Sequence, residues 1–349
     1  MKQFTITEND ANQRLDKFLK KLFPRATRGL LFKFNRKDKV KIKSPLSQPF
    51  PQGEKGVLVE WKFKKRDNEY KLQVWDEIKI FLSDKDFEEL TSPQPSPLEE
   101  REQNKNEKFD KNDIVFEDNF LFIINKNAWI NVHPWDHKTK ETNVIAQVQD
   151  YLWEKLNSLT FKPSLAHRID RDTSGILIIA KQKNILMKVV EDFKNHKKIK
   201  KIYYALVIWK LEKKSGTINK KLLRIENAKN ENKVQISDLG QTAISHYKLL
   251  KEYSLKTPEW NLIISEVEVQ IETGRMHQIR VHLADLWNPI IWDKAYWNKS
   301  LNYYFAKNFW LNRQALHAWK VEFFHYGINK IIKLEAKLKK DLTLFLNRL

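Results

Sequence analysis

Apolar and polar positions alternate with different periods along the chain, and the periods divide it into elements. Asn12 to Leu22 carries Leu15, Phe18, Leu19 and Leu22 at helical spacing, which predicts a short helix with one apolar face. Thr27 to Phe34 predicts a second, with Thr27 available as its cap and Leu30, Leu31 and Phe34 turned to the core. Lys39 to Lys43 alternates instead, so Val40 and Ile42 share one face of a strand and three lysines the other. Residues 83–111 break the pattern: Thr91-Ser-Pro-Gln-Pro-Ser-Pro97 restricts the backbone, and 99–111 is almost entirely polar or charged. This interval is expected to be a flexible linker between domains at 9–82 and 112–349. Beyond it, Ile114 to Lys126 reads as two β-runs broken at Glu117 to Asn119, a hairpin.

Asn143 to Leu156 and Asn184 to His196 have a helical period, the second with an apolar stripe of Leu186, Val189, Val190 and Phe193. Ile176 to Ala180, Ile202 to Val207 and Leu262 to Ile271 have strand character, and Met276 to Leu286 is helical after a turn that Gly274 can open. Strands and helices in mixed order, without repeated βαβ units, predict an α/β domain around a mixed or mainly antiparallel sheet.

Charge narrows the choice of partner. A net charge of +20 calls for a polyanion, either nucleic acid or an anionic membrane. No segment approaches the roughly 20 apolar residues of a membrane span, and Met1 to Ile6 lacks the apolar core of a secretion signal. The absence of Cys excludes disulfides and thiolate chemistry and fits a reducing compartment, so a cytoplasmic location is expected. RNA is the favoured partner; no obligatory protein partner is inferred.

Two Arg and two Asp crowd the segment Leu165-Ala-His-Arg-Ile-Asp-Arg-Asp-Thr-Ser-Gly175, just before the apolar run. Composition alone would make it a salt-bridged turn. In order and spacing it resembles the catalytic signature of RNA pseudouridine synthases. The resemblance continues through Ile114 to Pro134, Lys201-Ile-Tyr-Tyr-Ala-Leu-Val207, Thr273-Gly-Arg-Met-His-Gln-Ile-Arg-Val-His282 with Pro289 and Asp293, and Arg313-Gln-Ala-Leu-His-Ala318. It covers nearly the whole chain and points to the synthases of large-subunit ribosomal RNA. The Arg171-Asp172-Thr-Ser form is closer to the synthase C branch than to the D branch.

The resemblance implies roles for particular residues. Asp170 would act on the bond from ribose to uracil N1, either at the sugar carbon or through a related intermediate. Tyr203 would pack against the detached base and take part in proton movement, with Tyr204 on the opposite strand face. Arg280 resembles the buried basic partner that orients the carboxylate, on one helical face with His277 by i,i+3 spacing. Arg168 resembles the residue that enters the RNA stack as the target base leaves it, and Arg275 would serve RNA or the turn.

Upstream, two short helices and a strand resemble the S4 RNA-binding domain, from Arg14-Leu15-Asp16 to Arg36-Lys-Asp-Lys-Val-Lys-Ile-Lys43. Arg25, Arg28, Lys33, Arg36, Lys37 and Lys39 would then meet backbone phosphates, the alternative being a solvated basic face. Asp38, where that pattern has Gly, predicts a looser turn. His133, His167, His277, His282 and His317 are not expected to form a metal centre, and no organic cofactor is implied. Site-specific conversion of uridine to pseudouridine is therefore the leading reading. The alternatives are an inactive RNA-binding or ribosome-assembly protein and a base-hydrolysing enzyme.

Six tryptophans depart from the family pattern. Trp129, Trp135, Trp209, Trp287, Trp292 and Trp297 stand where the resembled family normally carries Gly. Only 8 of 349 residues are Gly, about 2% against roughly 7% in ordinary proteins, while 12 are Trp. Because Gly serves tight turns and an indole does not, the source organism is expected to read a reassigned codon as Gly. The alternative is compensated substitution.

Overall fold

In the computed structural model of the chain, the N-terminal periodicities become β1 (Lys2–Thr5), α1 (Leu15–Leu22), α2 (Arg28–Arg36), β2 (Val40–Lys43), β3 (Glu77–Ile80) and α3 (Asp84–Thr91). The structure describes residues 1–44, 62–91, 109–134, 142–152, 158–195, 198–226, 232–257, 261–297 and 299–349. Leu15, Phe18, Leu19 and Leu22 are all buried, as their spacing requires. Thr27 caps α2 by accepting from the Leu30 amide at 3.2 Å, a contact worth about 1 kcal/mol in helices generally. The antiparallel order β1-β3-β2 sets Val40 and Ile42 inward.

The turn after α2 is not loose. Asp38 adopts φ 54°, Lys39 N–H bonds the Phe34 carbonyl and Asp38 N–H the Asn35 carbonyl, which is a closed Schellman turn. Asp tolerates this backbone better than most residues. Helix α3 occupies the start of the interval expected to be linker. Ser83 accepts from the Asp86 amide at its N-terminus, and Phe87 stacks on Phe4 at 5.7 Å. Residues 92–108 lie outside the described residues.

The chain divides into two compact units. The first comprises Met1–Lys108 with Tyr151–Lys162 and Gln182–Asn184; the second comprises Phe109–Asp150, Pro163–Lys181 and Ile185–Leu349. Fully buried Asp10 ties the short 158–160 segment into the first unit. Its carboxylate accepts from the Leu159 and Thr160 amides and from the Ser158 and Thr160 hydroxyls.

From residue 109 onward the chain forms β4 (Ile114–Glu117), β5 (Leu121–Lys126), α4 (Val144–Leu152), β6 (Ser164–Leu165), β7 (Ser174–Ala180), α5 (Lys183–Asn195) and β8 (Ile199–Ile208). There follow β9 (Ser215–Asn219), β10 (Leu222–Glu226), β11 (Asn232–Ile236), β12 (Ile244–Lys256), β13 (Asn261–Ile271), α6 (Gln278–Asp285), α7 (Lys299–Phe309), β14 (Leu316–His325), β15 (Lys330–Glu335) and α8 (Lys340–Leu346). The large sheet runs β4-β5-β7-β14-β8-β13-β12-β9, with β15 on β14 and β6 on β7; β10 and β11 form a separate hairpin. Every pairing among the described strands is antiparallel except β7 with β14. The result is an α/β domain on a mixed, mainly antiparallel sheet. All seven residues of β7 are buried, which is why Ile176 to Ala180 reads as an unbroken apolar run.

Tryptophans recur where the backbone turns left-handed. Of the positions expected as glycine sites, Trp129, Trp209, Trp287 and Trp292 take φ between 61° and 75°. Trp75 (72°) and Trp310 (56°) do the same, whereas Trp297 does not. Trp135 lies outside the described residues.

Candidate active site

The loop between β6 and β7 is pinned at both ends. Ala166 N–H bonds the Ile178 carbonyl, and Ile178 N–H donates to His167 Nε2 at 3.1 Å. Burial, and then nearby Lys201, lowers the His167 pKa to about 3, so the ring is a neutral acceptor stacked on Phe193. Downstream, Thr173 N–H closes a turn on the Asp170 carbonyl, and the Thr173 hydroxyl accepts from Gln314. Gly175 follows because nothing larger fits: a Cβ there would stand 2.2 Å from the Ala318 carbonyl oxygen of β14. Buried Lys126 also donates to the carbonyls of Asn127, Ile130 and Arg171, joining the end of β5 to the loop.

Asp170 emerges from this loop toward α6. Arg280 Nη1 donates to Asp170 Oδ2 at 3.1 Å, while its Nε and Nη2 grip the two oxygens of Asp293 at 2.6 and 2.8 Å. Burial opposes the Arg280 charge, but Asp293 and then Asp170 more than offset it and raise its pKa above the ordinary guanidinium value. The bidentate grip fixes the plane of the guanidinium and therefore the direction from which it meets Asp170.

The turn before α6 is closed by Gln278. Its Oε1 accepts from the Thr273 hydroxyl and the Arg275 amide, and its Nε2 donates to the Ile244 carbonyl. His277 precedes the helix in a left-handed conformation, φ 54°, so it does not share a helical face with Arg280. It still faces the carboxylate: Nε2 lies 3.9 Å from Asp170 Oδ2. Its Nδ1 is 2.9 Å from the Tyr296 hydroxyl, which accepts from Val234 N–H. Donation of the hydroxyl proton to Nδ1 leaves the imidazole hydrogen on Nε2, toward Asp170. Burial lowers the His277 pKa and favours this neutral form, although Asp170 pulls the other way.

Tyr203 reaches the same pocket from β8, while its neighbour Tyr204 is buried on the opposite face, as strand alternation requires. Burial, followed by the charge of Asp170, raises the Tyr203 pKa, so its hydroxyl remains a proton donor. The cavity, about 80 Å³, is lined by Arg168, Asp170, Tyr203, Arg275, His277 and Arg280 among others. Arg168 is exposed at this cavity, with no ion-pair partner among the described residues. Arg275 is committed in part to structure: Nε donates to the Thr242 carbonyl at 3.1 Å.

The structure thus brings Asp170, Tyr203, Arg280, Arg168 and Arg275 around one cavity. Behind the residues that line it, Asp293 on Arg280 and Tyr296 beside His277 had no assigned role in the sequence reading. Asp293 falls in a family-like block, but its pairing with Arg280 has no periodic signature. Lys33 and Arg36 line a concave surface of about 730 Å³ with Lys65 and Arg66, two residues not singled out beforehand. Arg25, Arg28 and Lys37 are exposed, and Lys39 lies over the Phe34 ring at 5.8 Å. Among the described residues, no three His, Asp or Glu side chains converge as a metal-holding group. His317 and His282 are spent on hydrogen bonds to Ser174 and Ser245. No helix is long and apolar enough to cross a membrane, among those described.

Residues 120–285 match the family model described as RNA pseudouridylate synthase. Over 347 residues the chain is 34% identical to ribosomal large subunit pseudouridine synthase C of Buchnera aphidicola subsp. Baizongia pistaciae (strain Bp), spanning 95% of this chain and 92% of that protein. The chain belongs to the RNA pseudouridylate synthase family. It is also 28% identical, over 98% of its length and 90% of the relative, to ribosomal large subunit pseudouridine synthase D of Xylella fastidiosa (strain Temecula1 / ATCC 700964). Within the family it is therefore related to the C/D branch. Human RNA pseudouridylate synthase domain containing 4 shares the fold with a TM-score of 0.54, at 23% identity over 68% of this chain and 92% of that one.

Proposed function

We propose that this member of the family isomerises uridine to pseudouridine in large-subunit ribosomal RNA, in the manner of the C branch, with Asp170 as the catalytic carboxylate. The observation that carries the site assignment is the Asp293–Arg280–Asp170 chain of charge-assisted hydrogen bonds at the mouth of a pocket walled by Tyr203. It presents one oriented carboxylate oxygen to a substrate while Arg280 holds its charge in place.

The reaction breaks the bond from ribose C1′ to uracil N1 and makes one from C1′ to C5; C5 gives up a proton and N1 gains one. Atoms and electrons balance within the substrate, so the chemistry requires no redox partner. Asp170 would act on the sugar side of the broken bond. Tyr203, kept protonated by its surroundings, would pack on the freed base and donate from its hydroxyl. Arg168, exposed at the cavity, would fill the gap left by the extruded base, whose removal from the stack costs a few kcal/mol.

The first unit serves, on this reading, as an S4-like RNA-binding module. Its two short helices, strand β2 and the basic concavity at Lys33, Arg36, Lys65 and Arg66 support that role, with Arg25, Arg28, Lys37 and Lys39 adding phosphate contacts. A cytoplasmic location goes with a ribosomal substrate. The test is to incubate the protein with large-subunit RNA from cells lacking its gene, map pseudouridine by position and assay abasic sites. New pseudouridine at a discrete position supports the proposal. Abasic sites would mark a hydrolase, and bound but unchanged RNA an inactive binding protein; either result overturns it.

A further inference from the structure

We infer that Trp75, Trp129, Trp209, Trp287, Trp292 and Trp310 are glycines in the protein as its own cells make it, the codon behind them being read there as Gly. The backbone carries this inference. Six of the eight described tryptophans have φ between 56° and 75°. Only a few per cent of non-glycine residues adopt positive φ, and a bulky residue there is an outlier. Among the described residues, the other non-glycine residues with positive φ are Asn12, Asp38, His277 and Asn329, the types that tolerate it; every bulky one is Trp.

Four of the six turns have a form that calls for glycine. Trp287 follows α6, with its own N–H on the Ala284 carbonyl and Asn288 N–H on the Leu283 carbonyl. That is the Schellman position at which helices most often place Gly. Trp310 ends α7 in the same left-handed conformation, its N–H on the Ala306 carbonyl. Trp75 and Trp292 are the third residues of four-residue turns closed by Asp76 N–H to Gln73 O and Asp293 N–H to Ile290 O. Positive φ at that position is the mark of a type II turn and its Gly preference.

The ring contacts of the six indoles are with cations, Lys294 over Trp129 and Trp292 and Arg348 over Trp310, or with another Trp, Trp297 beside Trp209. Trp75, Trp129, Trp209, Trp287 and Trp310 are among the exposed large hydrophobics, Trp287 at 85% and Trp75 at 70%. The Trp292 Nε1 is buried without a hydrogen-bond partner. Trp319 provides the contrast. It lies in β14 without positive φ, its Nε1 donates to Glu335 at 2.9 Å, and its ring meets Tyr204 edge-on. Trp319 is a working tryptophan and serves as an internal control.

The test has two arms. Peptide mass spectrometry of the protein purified from the cells that carry the gene should read Gly at all six positions and Trp at 319, with one shared codon for the six and a different codon for Trp319. Tryptophan in the native peptides at the six positions overturns the inference. In the second arm the chain as written is compared with the sextuple variant W75G, W129G, W209G, W287G, W292G and W310G. The variant's unfolding midpoint should rise by roughly 10 °C or more, while W319G should lower it. A sextuple variant no more stable than the chain as written also overturns it, because the left-handed turns would then carry Trp without strain.

Discussion

The arginine that meets Asp170 and the basic residues of the first unit carry the same charge in opposite circumstances. Arg280 is nearly buried and spends three nitrogens on two carboxylates. Lys33 and Arg36 stand exposed on a concave surface, their side chains available to phosphate. The difference follows from what each must do. A catalytic carboxylate has to be held in one direction before substrate arrives, and a desolvated ion pair does that at the cost of stability. A grip on an RNA backbone needs cations whose partners are still water and counterions, because displacing counterions supplies the affinity.

The contrast is broken most severely at Arg280. Arg280→Ala leaves the buried Asp293 carboxylate without its counter-charge, still accepting from the Ala295 and Tyr296 amides, and releases Asp170. Turnover is expected to fall by about 1,000-fold and stability by roughly 3–5 kcal/mol. Arg280→Lys, which keeps charge but not the bidentate grip, should recover part of the stability and little of the rate. Single-turnover assays beside denaturant unfolding decide this, and unaltered turnover in a folded Arg280→Ala protein would reject the role.

Tyr203→Phe should lower turnover by about 100-fold while RNA binding stays within a few-fold, since only the hydroxyl is lost. The sign of its pKa shift sharpens the point. Raised above 10, the hydroxyl remains protonated throughout the range below that value, so no alkaline loss of activity below pH 10 should come from it. If Tyr203→Phe removes an alkaline loss of activity that begins below pH 10, the hydroxyl is an essential acid that titrates at or below its ordinary value, against the raised pKa; if it removes an acidic limb, the hydroxyl is working as an ionised base.

Asp293 acts through Arg280 as a positioning residue. Asp293→Asn should reduce turnover by about 10 to 100-fold with KM little changed, in line with the loss of an orienting partner. A rise in KM with normal kcat would place Asp293 in RNA binding instead. The smallest effects belong to the exposed cations. Lys33→Ala and Arg36→Ala should each weaken RNA binding a few-fold and reduce the salt dependence by roughly one unit of slope, with kcat unchanged. Binding isotherms across a salt series show whether the slope moves; an unaltered slope would mean that these residues form a merely solvated face.

Local periodicity accounts for what was legible in the sequence. Leu15, Phe18, Leu19 and Leu22 mark α1, Val40 and Ile42 mark one face of β2, and the unbroken apolar run marks β7, because each pattern repeats within a few residues. The insertion of β14 between β7 and β8 was hidden, since it joins segments more than a hundred residues apart. The same limit applies at the site. Asp170, Tyr203 and Arg280 came from family-like blocks, whereas the Asp293 grip, the Lys126 clamp and the turn of His277 away from the helix are products of tertiary packing. Asp10 is another case: its burial around the 158–160 segment depends on a contact across about 150 residues that no local pattern records.

The central claim is that Asp170 is the reacting group and the surrounding ion pairs only hold it. Asp170→Asn keeps the size of the side chain and a hydrogen-bonding oxygen for Arg280, so the protein should fold and bind undermodified large-subunit RNA as the parent does. Its single-turnover formation of pseudouridine should be abolished at the mapped position. Pseudouridine formed at the parental rate by a folded, RNA-binding Asp170→Asn protein would contradict the account.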